Sequence, residues 1–271
     1  MGYVTREMID RTKEMDLLTY LQTYEPQELV HFGGNTYCTR EHDSLKISNG
    51  KWCWFSRGIG GRTALDYAIA PRRPPDTRGM SPLQVSLCTG RHRDIAWLLL
   101  ESGADVNYLP DRRIAEEARP VLFDGVNAAI WNVRRYAWDG KDTRPLQLEW
   151  KHTKEQADDA FAFLHRMLEL GADVSVTDHY GRNCLMEAVS EAGNLCPVKN
   201  QETGAFYPGR PITPEMCEDL RRIFRLLIDA GADRNNVSAF SGKSIRQHYE
   251  NEPVWQICGD LWDERAEGGM S

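Results

Sequence analysis

The chain has 271 residues, of which 41% are hydrophobic, a formal net charge of −7 and seven cysteines. That length and composition suit a protein with a real core in one long or two short domains, and the cysteines lack the CxxC spacing or clustering of a disulfide framework, which favours a reducing cytoplasm. No charged N-terminal segment precedes an apolar run, and no apolar stretch approaches the roughly 20 residues that span a bilayer, so neither secretion nor membrane insertion is expected.

Helix and strand patterns alternate in the first 70 residues. Thr5 and Asp16 are predicted to cap two helical segments before Pro26 interrupts them. Short strands are predicted over 35–38, 44–47 and 52–55, with a hairpin turn at 48–51. A glycine loop over 57–62 then opens a helix. Its glycines lack the spacing of a nucleotide-binding turn, so tight packing is their expected role.

The order of these elements carries a family resemblance. His42-Asp-Ser-Leu, Ile47-Ser-Asn-Gly-Lys-Trp, Gly58-Ile-Gly-Gly and Ala64-Leu-Asp-Tyr follow one another. Residues of about 14–70 therefore resemble the zinc-ribbon N-terminal domain of bacterial primases. They resemble more closely the degenerate version that precedes toprim-like domains in proteins of mobile elements. The resemblance implies a small α+β module that helps to engage DNA.

A zinc site is not expected in this module. In the family the ribbon holds zinc with a C-x-x-H pair and a C-x-x-C pair, and here Trp54 and Arg57 stand at the second pair. Cys38, His42 and Cys53 leave at most three candidates, whereas a structural zinc site normally has four ligands. We therefore expect no metal and no cofactor.

An aromatic core is expected to replace the metal, formed by Tyr37, Trp52, Trp54 and Phe55. Basic residues line its rim and predict a nucleic-acid-binding surface: Arg40, Lys46, Lys51, Arg57 and Arg62. The alternative is that they only solvate a small sheet.

A second resemblance begins after the proline-rich link 71–75, which places a domain boundary near residue 72. Ser81-Pro82 is predicted to begin one helix, Ile95, Leu98 and Leu99 form the apolar face of another, and Gly103 ends it. The ending Gly-Ala-Asp returns at 171–173 and 231–233. Residues of about 75–265 therefore resemble ankyrin repeats.

The repeats are longer than usual, since their glycines are 68 and 60 residues apart against about 33 in a standard unit. A polar excursion is predicted over 138–150 and a long insertion over 193–212, although each interval has room for a degenerate repeat. The expected fold is mainly α: an ankyrin-repeat solenoid with enlarged repeats, preceded by the zinc-ribbon-like module. The domains are 1–72 and 73–271, the second with three recognisable repeats and a C-terminal capping unit.

Ankyrin repeats bind proteins, so the resemblance implies a non-enzymatic protein-interaction module. Hairpin tips and the long insertion supply the expected contacts: Tyr108, Asp111, Asp178, His179, Tyr180, Phe206, Tyr207 and Phe240. For Phe206 and Tyr207 the alternative is packing of the insertion itself. Residues 1–72 contain nine basic and nine acidic residues, so the acidic surplus lies in 73–271 and favours a partner with a basic surface.

Other function classes stay open at this point. A nucleic-acid-binding adaptor would act through the N-terminal module. Together the two resemblances suggest an adaptor or inhibitor of a DNA-handling or defence complex, encoded by a mobile element or phage. An enzyme is not expected, because the histidines are scattered and lack a Ser, Cys or carboxylate partner at motif spacing.

Overall fold

The structure is a computed structural model that describes residues 14–24, 26–40, 44–56, 59–69, 80–88, 93–110, 119–138, 148–197 and 211–263. These residues belong to two compact units, one up to Asp105 and the other from Val106 onward. The boundary expected near residue 72 falls in 70–79, outside the described residues, and stays a prediction. Within the described ranges, no helix is long and apolar enough to cross a membrane.

The first unit contains a five-stranded antiparallel sheet whose strands follow one another in sequence order. Its strands are β1 (Leu29–Gly33), β2 (Thr36–Thr39), β3 (Leu45–Ser48), β4 (Lys51–Trp54) and β5 (Ile59–Gly61). Asn49 and Gly50 join β3 to β4 with φ of 52° and 66°, as a two-residue type I′ turn requires. The three predicted strands and their hairpin turn are confirmed, each strand shifted by one residue.

One face of this sheet forms the core of the first unit. Leu45, Ile47, Trp52 and Trp54 are buried there against Leu17 and Leu21 of α1 (Leu17–Tyr24). Asp16 caps α1 by accepting a 3.0 Å hydrogen bond from the backbone N–H of Thr19. The prediction that Phe55 belongs to this core is wrong, because successive strand side chains alternate between faces and Trp54 already takes the inner one. Phe55 is 68% exposed.

The predicted glycine loop is a strand over part of its length, since β5 pairs with β4. A Cβ on Gly60 would lie 2.7 Å from the carbonyl oxygen of Trp52, and one on Gly61 would lie 2.6 Å from Cβ of Asp66. Asp66 belongs to α2 (Ala64–Ile69). The prediction that these glycines serve tight packing is confirmed.

Two further helices of the described residues belong to the first unit: α3 (Pro82–Cys88) and α4 (Arg93–Glu101). Ser81 Oγ accepts from the backbone N–H of Gln84, and Gln84 Oε1 accepts in return from the N–H of Ser81. This reciprocal pair begins α3 at the predicted place. Leu99 is buried on the predicted face of α4.

The second unit contains six helices among its described residues: α5 (Val121–Trp131), α6 (Lys154–Glu169), α7 (Cys184–Leu195), α8 (Pro214–Asp229), α9 (Ile245–Tyr249) and α10 (Trp255–Cys258). Phe123, Phe163 and Phe224, one from each of α5, α6 and α8, are fully buried in its core. Thr153 caps α6 and Thr213 caps α8, because each side chain accepts from a backbone N–H of the first helical turn.

A hairpin separates α5 from α6. It consists of β6 (Arg135–Trp138) and β7 (Leu148–Lys151), so the predicted polar excursion over 138–150 is wrong at its ends. Arg134 fastens the base of the hairpin to α8, since its backbone N–H and its Nε donate to buried Asp219 at 3.0 and 2.9 Å. The central residues 139–147 lie outside the described part of the chain.

The predicted fold class, a mainly α ankyrin-repeat solenoid, is wrong. The described chain is mixed α/β: it contains the five-stranded antiparallel sheet near the N-terminus and a second, two-stranded sheet inside the region expected to form helical repeats. The sequence signal behind the prediction is a helix ending, and a helix ending constrains only its own turn.

Candidate interaction surface

Two loops of similar construction carry most of the described residues predicted to bind a protein. In the first, Thr177 forms an isolated bridge with Asn183, and in the second, Val237 does so with Ser244. Each loop leads into a helix that its last residue caps, Asn183 for α7 and Ser244 for α9. The two loops thus present their tips beside the starts of these helices.

Asp178 holds the first loop together. Its carboxylate accepts hydrogen bonds from the backbone N–H groups of Tyr180 and Arg182, each at 2.9 Å, and from Nε of Arg182 at 2.8 Å. Asp178 is only 4% exposed. The prediction that Asp178 is an acidic contact for a partner is therefore wrong, because its oxygens are already occupied inside the loop.

The second loop rests on the first. The carbonyl oxygen of Tyr180 accepts from the N–H of Ala239 at 2.8 Å and from Oγ of Ser238 at 3.2 Å. Gly181 permits this approach, since its φ is +73° and a Cβ there would lie 2.9 Å from the backbone nitrogen and the Cβ of Ala239. A side chain at this position would push the loops apart.

The docked loops bring two aromatic rings together, Tyr180 and Phe240, which we call the tip pair. Their ring centroids are 5.5 Å apart at an interplanar angle of 68°, an edge-to-face arrangement. Phe240 is 82% exposed, the largest value among the large hydrophobic side chains of the described residues. The ring of His179 lies 3.7 Å from that of Tyr180. Three of the predicted contact residues thus lie together.

Asparagine side chains fix the loops from beneath. Asn183 donates from Nδ2 to the carbonyl of Asp233 at 2.8 Å, and its N–H donates to Oδ1 of Asn236 at 3.1 Å. Asn236 in turn donates to the carbonyl of Gly181 at 3.2 Å. The loop backbones that carry the tip pair are therefore held in place before any partner arrives, which lowers the entropy cost of binding.

Cations flank the tip pair. Arg182 lies over the Tyr180 ring, with Cζ 5.3 Å from its centroid, and pairs with buried Glu187 at 3.3 Å. Arg119 pairs with buried Asp124 at 2.6 Å. Burial lowers the pKa of Arg182, but the hydrogen bond and charge of Asp178 and the charge of Glu187 outweigh it and raise the pKa above its ordinary value. Arg182 therefore stays charged.

The remaining predicted contacts are placed elsewhere. Tyr108 is partly buried, and its backbone carbonyl accepts from the N–H of Val121. Asp111, Phe206 and Tyr207 lie outside the described residues. Sequence reasoning missed Arg182 as part of this surface, whereas the spacing Asp178-x-x-Gly181 does predict the tight loop.

A serine and a histidine meet next to the tip pair. Ser241 Oγ and His248 Nε2 are 2.6 Å apart, the geometry of a nucleophile and its base. Burial, followed by the charge of Lys243, lowers the pKa of His248. No carboxylate among the described residues pairs with His248 to orient it, so the pair lacks the third member of a catalytic triad.

The first unit offers a second surface, the outer face of its five-stranded sheet. Lys46 and Lys51 project from this face, and Nζ of Lys46 lies 3.1 Å from the centroid of the Phe32 ring. Phe32 is 63% exposed and Phe55 even more so. The five strands contain neither aspartate nor glutamate. Two exposed aromatic rings and two lysines therefore share a face without carboxylates.

Two other predicted nucleic-acid contacts, Arg40 and Arg62, lie directly after β2 and β5 and outside the strands themselves. Arg40 donates from Nε to the carbonyl of Gln27 at 3.1 Å, and the backbone N–H of Arg62 donates to Asp66. Arg57 lies outside the described residues, as does His42 of the supposed metal site. Cys38 and Cys53 are free thiols, and the described residues contain no group of three or more His, Cys, Asp or Glu that could hold a metal.

Comparison with known proteins adds no functional assignment. Neither a scan against models of protein families nor a search among curated proteins finds a match to this chain.

Proposed function

We propose that the chain is a non-enzymatic protein-interaction module that binds its partner through the tip pair. The exposure of Phe240 carries the proposal, because a large aromatic side chain is left mostly in water while its backbone is firmly held. Aromatic side chains are enriched at protein interfaces and among the residues that dominate binding energy, and a preorganised support lowers the cost of binding. The seven free cysteines support action in a reducing compartment such as the cytoplasm.

The nature of the partner is part of this proposal. A role as an adaptor or inhibitor of a DNA-handling or defence complex rests on the resemblance of residues 14–70 to modules of mobile-element proteins. Two acidic contact residues, Asp111 and Asp178, were named for a partner with a basic surface. Asp178 is buried and does not support such a partner, and Asp111 lies outside the described residues.

The test compares three baits in capture from the native host: the unchanged chain, Phe240→Ala and Leu170→Ala. Leu170 is the control, because it is also an exposed large hydrophobic side chain and belongs to neither candidate surface. A partner should be retained by the control and lost by Phe240→Ala. With the purified partner, the loss should be about 30-fold in affinity, as for a hot-spot residue of about 2 kcal/mol. A partner that binds both variants equally would refute the tip pair as its docking site.

A second candidate function is single-stranded nucleic-acid binding by the outer sheet face. Phe32 and Phe55 offer rings for base stacking, and Lys46 and Lys51 offer charges for phosphates. Labelled single-stranded DNA and RNA, titrated over a salt series, should bind the unchanged chain. Binding should weaken on Phe32→Ala and on the double change Lys46→Glu with Lys51→Glu. Absence of binding even at low salt would eliminate this candidate.

A further inference from the structure

The cations beside the tip pair occupy one repeated position. Arg119, Arg182 and Lys243 each stand directly before the N-cap residue of a helix, α5, α7 and α9 respectively. Helix α7 packs against both α5 and α9. The three cations therefore lie along one edge of the second unit, and we call them the cation row.

The carboxylates that pair with this row are buried, whereas the cations themselves are partly exposed. Side chains of Asp124, Asp178 and Glu187 are 1–4% exposed, whereas those of Arg119 and Arg182 are 38% and 31% exposed. Lys243 is exposed and forms no ion pair within the described residues. An approaching molecule thus meets the cations first and cannot reach the carboxylates beneath them.

We infer that this edge binds an acidic peptide segment in which an apolar residue packs on the tip pair and one or two carboxylates pair with the cation row. The inference rests on the proposed function and gives its partner a chemistry. Complementary charge at the rim of an apolar anchor steers association and selects among partners. The sequence predicts the opposite charge for the partner, but that prediction depends on the net charge of 73–271 and not on which charges are accessible.

A peptide fits this edge better than a nucleic acid. Polyanion binding relies on an extended positive potential along a phosphate backbone. Here Arg119 and Arg182 each have a carboxylate directly beneath, so their field is local and Lys243 is the cation without such a neighbour. A local field of this kind suits a short segment with few charges.

The test uses a random peptide library displayed on phage and selected in parallel on the full chain and on Phe240→Ala. We expect peptides that combine Asp or Glu with a large apolar residue to be enriched on the unchanged chain alone. A synthetic peptide of that kind should bind Lys243→Glu about tenfold more weakly than it binds the unchanged chain. Its affinity for the unchanged chain should fall as the salt concentration rises. Lys154→Glu is the matched control, since it changes the net charge equally at an exposed lysine outside the cation row and should leave affinity unchanged.

The other outcomes separate the two levels of the proposal. Enrichment of basic or uncharged apolar peptides that depend on Phe240 would overturn the acidic partner and keep the tip pair as a protein-binding site. Displacement of the peptide by single-stranded oligonucleotides, with direct Phe240-dependent oligonucleotide binding, would overturn the peptide in favour of a polyanion. If the unchanged chain enriches nothing beyond Phe240→Ala, both the acidic partner and the tip-pair function fail.

Discussion

Replacing Asp178 with alanine is expected to destabilise the second unit by about 3–5 kcal/mol. The change leaves the backbone N–H groups of Tyr180 and Arg182 without an acceptor in a closed loop. Each such group costs about 1–3 kcal/mol. The lost ion pair adds less than a fully buried one would, because the side chain of Arg182 is partly exposed and can turn toward water.

Denaturant unfolding measures the total, and hydrogen exchange at the amides of Tyr180 and Arg182 localises it. Both amides should exchange much faster in the alanine variant. Asp178→Asn is the control: its one carbonyl oxygen can still serve the backbone, so we expect a loss of only about 1–2 kcal/mol. The role of Asp178 in the loop would be refuted if the free energy of unfolding of Asp178→Ala lay within about 1 kcal/mol of that of the unchanged chain and both amides still exchanged slowly.

Three other changes test the remaining conclusions. Gly181→Ala should lower the free energy of unfolding by about 2–4 kcal/mol, because the φ at this position is left-handed and the new Cβ would meet Ala239. The same change should weaken Phe240-dependent binding. An unchanged denaturant midpoint of unfolding would contradict this prediction. Burial raises the pKa of Cys184, Cys196 and Cys258 to about 12 each. Unfolded thiols lose their protons first, so stability should be full below about pH 8 and fall above it, by about 1.5–2 kcal/mol per thiol at pH 10. Denaturant titrations in reductant check this slope, and it should flatten when these thiols are changed to alanine. Metal analysis of the purified chain should find no stoichiometric zinc, since the core position of Trp54 leaves no ligand there, and a full equivalent of zinc would refute this.

Local features of the fold could be predicted from the sequence. The caps at Asp16 and Ser81 lie where expected, because each depends on residues three positions apart. The turn at Asn49-Gly50 is equally local. The same holds for the strands around that turn, whose alternation is visible over four residues.

The candidate site could be predicted only in part. Tyr180 and Phe240 were identified as contacts, but their meeting depends on residues 60 positions apart, and no local pattern reports it. Asp178 was misjudged for the same kind of reason. An aspartate in a polar loop looks exposed in a sequence, and only the chain folding back shows that its carboxylate is enclosed by backbone N–H groups.

The wrong fold class has a specific cause in the Gly-Ala-Asp endings. Gly103, Gly171 and Gly231 have φ of +88°, +88° and +97°. In each case the glycine N–H donates to the carbonyl three residues earlier, and the N–H of the following alanine donates to the carbonyl five residues earlier at 3.0 Å. These bonds form a Schellman motif, which satisfies the last carbonyls of a helix and has no requirement beyond that turn. Recurrence of the motif therefore reports three helices that end alike. The structure between these helices, including the hairpin in one interval, is decided by the intervening residues. The period-two pattern at 135–138 and 148–151 is the signal that distinguishes a mixed α/β chain from a purely helical array.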